Sequence, residues 1–272
     1  QDAKPTFPPE QIEQLVAPIA LYPDDLVSQI LMATTYPLEI VQAQRWIKAN
    51  PSLKGEAAAK AVEKKDWDPR VKSLVNFPSI LAMMDNKLDC TQNLGNAVLA
   101  QQKDVMDAIQ RLRKKAIETG NLKDSKEINV EEKGETIEIS STDPDVVYVP
   151  VYDPTVVYYS SWPYPSYPPY YYCPPHYHPP VATPYYGFAA GVTLGLCWGY
   201  AWGNCDWDDC DVDIDCDRNV ERNRNINRDQ ARDRMENRGK GKWQHDASHR
   251  RGVGYGDAKT AQKFNRGASP AG

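Results

Sequence analysis

Between residues 9 and 120 apolar side chains recur at spacings of three and four, the period of a helix that buries one face. Segments 10–20, 24–34 and 38–49 show it, with Leu26, Ile30 and Leu31 in the second and Ile40, Val41, Trp46 and Ile47 in the third. Tyr22-Pro23, Tyr36-Pro37, Asp68-Pro69 and Phe77-Pro78 each put a proline where a helix can begin, because first-turn amides have no intrahelical partner. A longer helix is expected over about 88–118, packing through Leu94, Val98, Val105, Ile109 and Leu112 and stopped by Gly120-Asn121. After Asn121 the period falls to two. Ile128 and Val130, then Ile137 and Ile139, alternate with polar residues around Lys133-Gly134, which predicts a hairpin. Residues 146–152 read as a third strand, kept to an edge or an end by Pro150.

The pattern then changes twice. Residues 158–186 are dominated by tyrosine and proline and favour extended conformations; they read as a semi-rigid spacer, the sharper alternative being an aromatic surface for a partner or glycan. Glycine recurs every four residues from Gly187 to Gly203, a small-residue face suited to helices packing in a membrane. The same residues also alternate small and large, which is a strand signal. Cys210, Val212, Ile214 and Cys216 continue that alternation against Asp209, Asp211, Asp213, Asp215 and Asp217, so a β-hairpin turning near 204–208 is the preferred reading. The fold class is therefore α+β. A helical module (1–122) and a small antiparallel β unit packed on it (123–157) precede the Tyr/Pro-rich linker (158–186). A Gly-rich and Asp/Cys segment (187–217) and a largely disordered basic tail (218–272) follow.

Charge sharpens these boundaries. The first 153 residues carry 18 basic and 24 acidic side chains, and residues 154–204 carry none of either sign. Residues 205–217 hold seven aspartates, and from Arg218 onward 14 basic side chains face 6 acidic ones. Five aspartates on one strand face repel one another, so Arg218, Arg222, Arg224 and Arg228 are expected to neutralise them, with a hard cation as the alternative. Candidate metal ligands are Asp211, Asp213, Asp215, His176 and His178, but neither an EF-hand loop nor paired zinc-ligand spacing is present. Asp24-Asp25 reads as a helix-dipole pair and Cys90 as a small buried thiol. His245, Asp246 and His249 lie close in sequence, yet no nucleophile or oxyanion donor accompanies them, so no enzyme and no cofactor is expected. The basic stretch has no base-reading motif in an acidic chain, which argues against nucleic acid.

Six cysteines, forming up to three disulfides, fit an oxidising compartment. The start at Gln1 fits a mature chain after signal removal, or a chain cut at an arbitrary point. No run of 18 apolar residues is present. The expectation is an extracytoplasmic protein of the periplasm or outer membrane that binds or scaffolds an envelope component. Homo-oligomerisation and membrane association through 187–203 stay open, and a periplasmic metal-binding protein is the runner-up.

Several segments form a recognisable set: 20–24 (ALYPD), 29–33 (QILMA), 35–39 (TYPLE), Phe77-Pro78, 99–102 (LAQQ) with 104–107 (DVMD), and 147–154 (VYVPVYDP). Together they resemble a bacterial family catalogued as domain of unknown function 3300, over roughly residues 10–160. Trp243-Gln-His-Asp246 and 249–253 (HRRGV) are similar to that family's C-terminal motif. The resemblance implies export and supplies no catalytic residue. The cysteines between Cys197 and Cys216 are not part of the pattern.

Overall fold

The computed structural model describes residues 6–143, 146–172, 174, 186–188, 191–193, 203–207, 211–214 and 241–265. Its helical part is α1 (Pro9–Val16), α2 (Asp24–Thr34), α3 (Pro37–Ala49), α4 (Gly55–Val62), α5 (Pro69–Ser73), α6 (Pro78–Asn86), α7 (Leu88–Ala100) and α8 (Gln102–Glu118). Pro37, Pro69 and Pro78 occupy first turns as their rigid φ suggests, while Pro23 stands one residue ahead of α2. The first stripe forms a helix only as far as Val16: Ala17 keeps helical geometry (φ −51°, ψ −38°), but Pro18 lacks an amide hydrogen to continue the ladder.

The expected helix over 88–118 is two. Gln101 leaves helical geometry at φ −142°, ψ 46°. Its side-chain amide brackets Phe7, accepting from Phe7 N at 2.8 Å and donating to Phe7 O at 3.2 Å. The break lets α7 and α8 both pack on α1. At Gly120, φ 72°, the α8 terminus closes as expected: Asn121 N and Leu122 N both donate to Ala116 O.

Strands β1 (Ile128–Lys133) and β2 (Thr136–Ser141) form the expected hairpin, with Lys133 opposite Thr136 and Gly134 at φ 64°. Ile128, Ile137 and Ile139 are buried. Residues 146–152 form two short strands, β3 (Val146–Val147) and β4, which starts at its proline (Pro150–Tyr152). Their partners come from the Gly-rich segment: β5 (Tyr186–Phe188) lies antiparallel to β4 and β6 (Val192–Thr193) to β3. The alternation in that segment thus yields short returning strands, and none of its described residues is helical. The hairpin then runs from β7 (Gly203–Asp206) to β8 (Asp211–Ile214), a few residues later than the turn expected from sequence, and β9 (Gly241–Lys242) adds to its far edge.

Two segments differ from their sequence reading. Residues 158–172 are packed on the head rather than spacing it: Tyr158 is buried, Gln14 Nε2 donates to Pro168 O at 2.8 Å, and Lys87 Nζ lies 5.5 Å from the Tyr170 ring centre. Aromatic rings outweigh proline stiffness here because each has a large apolar area to bury. The tail is also divided. Gly241 of β9 is the register partner of Ile214 of β8, so the chain on the far side of the basic stretch is joined to the head. Residues 243–265 then pack on α3 and α7 and end in α9 (Ala258–Asn265). Among the described residues no helix is long and apolar enough to cross a membrane.

Candidate functional site

Two clusters of charged and aromatic side chains join segments remote in sequence. The first gathers at the start of α2. Asp24 does more than complement the helix dipole: its Oδ1 lies 2.6 Å from Arg113 Nη1, and its Oδ2 accepts from Trp207 Nε1 at 3.1 Å. The Arg113 guanidinium sits 4.7 Å from the Trp207 ring centre and donates to Ala20 O, Ile137 O and Tyr22 O at 2.8, 2.7 and 3.1 Å. Burial raises the Asp24 pKa, against the opposite pull of Arg113 and the Trp207 hydrogen bond. The buried Cys205 thiol donates to Asp24 O at 3.7 Å, and burial pushes its pKa up. Nearby, Tyr152 and Tyr158 both donate to Ala17 O, at 2.9 and 2.5 Å.

The second cluster sits at the start of α3, where Pro37 sets the first turn and delivers Glu39 to the interior. Glu39 is fully buried, a position a carboxylate holds only when its lone pairs are taken. Its Oε2 accepts from Asp68 N at 2.6 Å, and its Oε1 meets His249 Nδ1 at 2.8 Å and Arg251 Nε at 3.0 Å. Arg251 also reaches Asp66 O and Oδ2. It adopts φ 53°, a left-handed conformation that only well-anchored non-glycine residues keep. Buried Arg250 donates to Thr35 O at 3.0 Å, Asn96 Oδ1 at 2.6 Å and Gly254 O at 2.7 Å, with the Tyr255 ring 4.4 Å away.

His245 completes this cluster. Its ring stacks on Tyr36 at 5.2 Å and meets Phe264 edge-on at 4.8 Å, while its Nε2 pairs with Tyr255 Oη at 3.1 Å. The Tyr36 hydroxyl accepts from Asp246 N at 3.1 Å. Burial, then the nearby Arg250 charge, lowers the His245 pKa to about 4, so the ring is neutral at pH 7.

A small cleft of about 40 Å³ lies between α1, α2, α6 and α7 beside Tyr170, lined by Leu15, Ile19, Ile30, Met83, Leu94 and Cys90. Cys90 is only half-buried, more open than the core thiol expected from sequence. Among the described residues Cys90 and Cys205 are free thiols, and the other four cysteines lie outside the described residues. Cys205 lies in a strand facing α2, where its neighbour is a backbone carbonyl rather than a second sulfur.

Of the proposed metal ligands, Asp211 and Asp213 lie on β8, in register with Asp206 and Asn204 of β7. Asp213 is also opposite Lys242 of β9, which brings one basic residue beside the aspartate ladder. Asp215, His176 and His178 lie outside the described residues. Among the described residues no group of three or more His, Cys, Asp or Glu could hold a metal ion, and the metal-binding reading is not supported. His249 is paired with an acid, Glu39, 210 residues before it, a pairing that sequence spacing cannot signal, while His245 lies among aromatic rings.

The fold and its clusters define an α+β head held shut by long-range ionic clasps. The chain belongs to the family described as protein of unknown function (DUF3300), whose model matches residues 8–245. The uncharacterised protein YacH of Escherichia coli strain K12 is 38% identical over 317 aligned residues, covering 97% of this chain and 51% of YacH. The chain therefore spans about half the length of the curated relative it matches. No solved structure matches.

Proposed function

We propose that this chain is an exported, non-catalytic module of the bacterial cell envelope that binds or scaffolds another envelope component. The supporting observation is the strap 158–172. Trp162, Tyr164, Tyr167, Tyr170 and Tyr172 are half-buried against the head, Tyr171 is 41% exposed, and exposed Pro163, Pro165 and Pro168 stiffen the run. Trp162 Nε1 donates to Tyr167 O at 2.8 Å, fixing the strap internally, and Tyr159 and Tyr164 each make a T-shaped contact with Trp162. Rigid aromatics presented at a surface give contact area at low entropic cost, the feature common to binding faces. The charged clusters add support for a non-catalytic role, since Glu39, Arg250, Asp24 and Arg113 spend their hydrogen-bonding capacity on this chain's own backbone and side chains.

The test is fractionation of a Gram-negative host expressing the full precursor, beside a Trp162→Ala/Tyr171→Ser variant, with salt and high-pH washes. The expected outcome is wild-type protein retained in the envelope fraction and the variant released into the soluble periplasm. Recovery of the wild type in the cytoplasm, or equal release of both proteins, would overturn the reading.

A further inference from the structure

We propose that residues 243–265 form a latch on α3 and α7 that opens in acid, with His245 as its proton sensor. The latch closes over Tyr36, Glu39 and Asn96, and its fit is tight. A Cβ on Gly256 would stand 3.0 Å from Asn96 Cβ, closer than ordinary van der Waals contact, so this turn passes tightly against the Asn96 side chain of α7. His245 stands at the centre, among Tyr36 of the α2–α3 junction, Trp243 and Tyr255 of the latch and Phe264 of α9.

The charged groups around it decide the sign. Arg250 of the latch and Lys263 of α9 oppose a second positive charge on the ring, and Asp246 is the neighbouring anion that favours one. Asp246 Oδ1 is occupied by Ser248 N and Oγ at 2.9 and 2.7 Å, and Glu39 is held by His249, Arg251 and Asp68 N. The titratable hydroxyls facing the ring, Tyr36 and Tyr255, stay neutral in acid and so add no compensating charge. Protonating the docked ring therefore places a cation in an apolar cage beside Arg250.

The docked ring titrates at about 4, and a released, solvated one at about 6.5. Between those values the open form binds more protons. Docking is thus at full strength above about pH 6.5 and weakens as pH falls toward 4. For a shift of that size the closed-to-open ratio at pH 5 drops about 20-fold from its value at neutral pH.

Hydrogen–deuterium exchange of the full chain, corrected for intrinsic rates, tests this at pH 7.5 and 5.0. Residues 243–265 are expected to lose at least tenfold in protection at pH 5.0 while α2 and α7 keep theirs. His249→Gln should retain that pH dependence and His245→Gln should lose it. Gly256→Val, which crowds Asn96, should be open at both pH values and supplies the signature of the released latch. Unchanged protection in the wild type, parallel loss throughout α2 and α7, or a pH dependence abolished by His249→Gln each overturns the proposal.

Discussion

At the residue scale the molecule turns on charges that have left water. Arg113 is fully buried and binds three carbonyl oxygens as well as Asp24, so its removal strands an anion together with Ala20 O and Tyr22 O, while Ile137 O keeps the Gln110 amide. Breaking a buried pair from one side costs on the order of 3–5 kcal/mol. Arg113→Met is therefore expected to lower the free energy of unfolding by that amount, read from urea denaturation monitored by far-UV circular dichroism. Asp24→Asn added to Arg113→Met should recover part of the loss, because the stranded charge disappears, and strict additivity would argue against the pair. The sequence exposed Asp24 as a helix-start acid and left Arg113 unremarked. A guanidinium on an amphipathic helix reads as a solvated side chain until the carbonyls around it are in place.

At the element scale the helix stripes and hairpin alternation were legible, since both periods arise from neighbouring residues. The break at Gln101 was not, because it depends on Phe7, 94 residues away. Helix crossing was equally hidden. Gly95 in α7 lies where a Cβ would be 2.2 Å from Thr34 O of α2, so the two backbones meet at this glycine. Gly95→Val must push the helices apart and is expected to cost about 3 kcal/mol, the upper end for overpacking, because the clash is with backbone. Thermal melting checks it: a variant within experimental error of wild type would mean that the crossing is soft. Glycine inside an apolar helical pattern was the available signal, and it marks close packing only once the partner is known.

At the scale of the whole molecule the head is assembled from pieces spread over nearly the full chain. Tyr158, Trp207 and the latch all belong to the core or to its clasps, although each lies beyond the helical module and the small β unit at 123–157. A chain truncated after Asp153 would lose the second of the two hydroxyls on Ala17 O, that of Tyr158, with the indole over Arg113 and the arginine on Thr35 O. It is expected to melt well below the full chain and with reduced cooperativity; calorimetric scans of the two proteins with superimposable transitions would refute this view of the head.

The amino-acid order by itself determined what local periodicity can encode: short helices opened by proline, a glycine stop after α8, a β-hairpin, the α+β class and the charge boundaries. The family resemblance was also readable, because its motifs are contiguous. Only the tertiary structure decided that residues 158–172 of the tyrosine–proline run lie on the head and that residues 186–188 and 192–193 pair as strands with β4 and β3. Only it joined His249 and Arg251 to Glu39. These outcomes depend on which remote surfaces meet. A side chain's nearest neighbours in sequence fix its backbone period, whereas its burial and charge partner are set by closure of the chain across many residues.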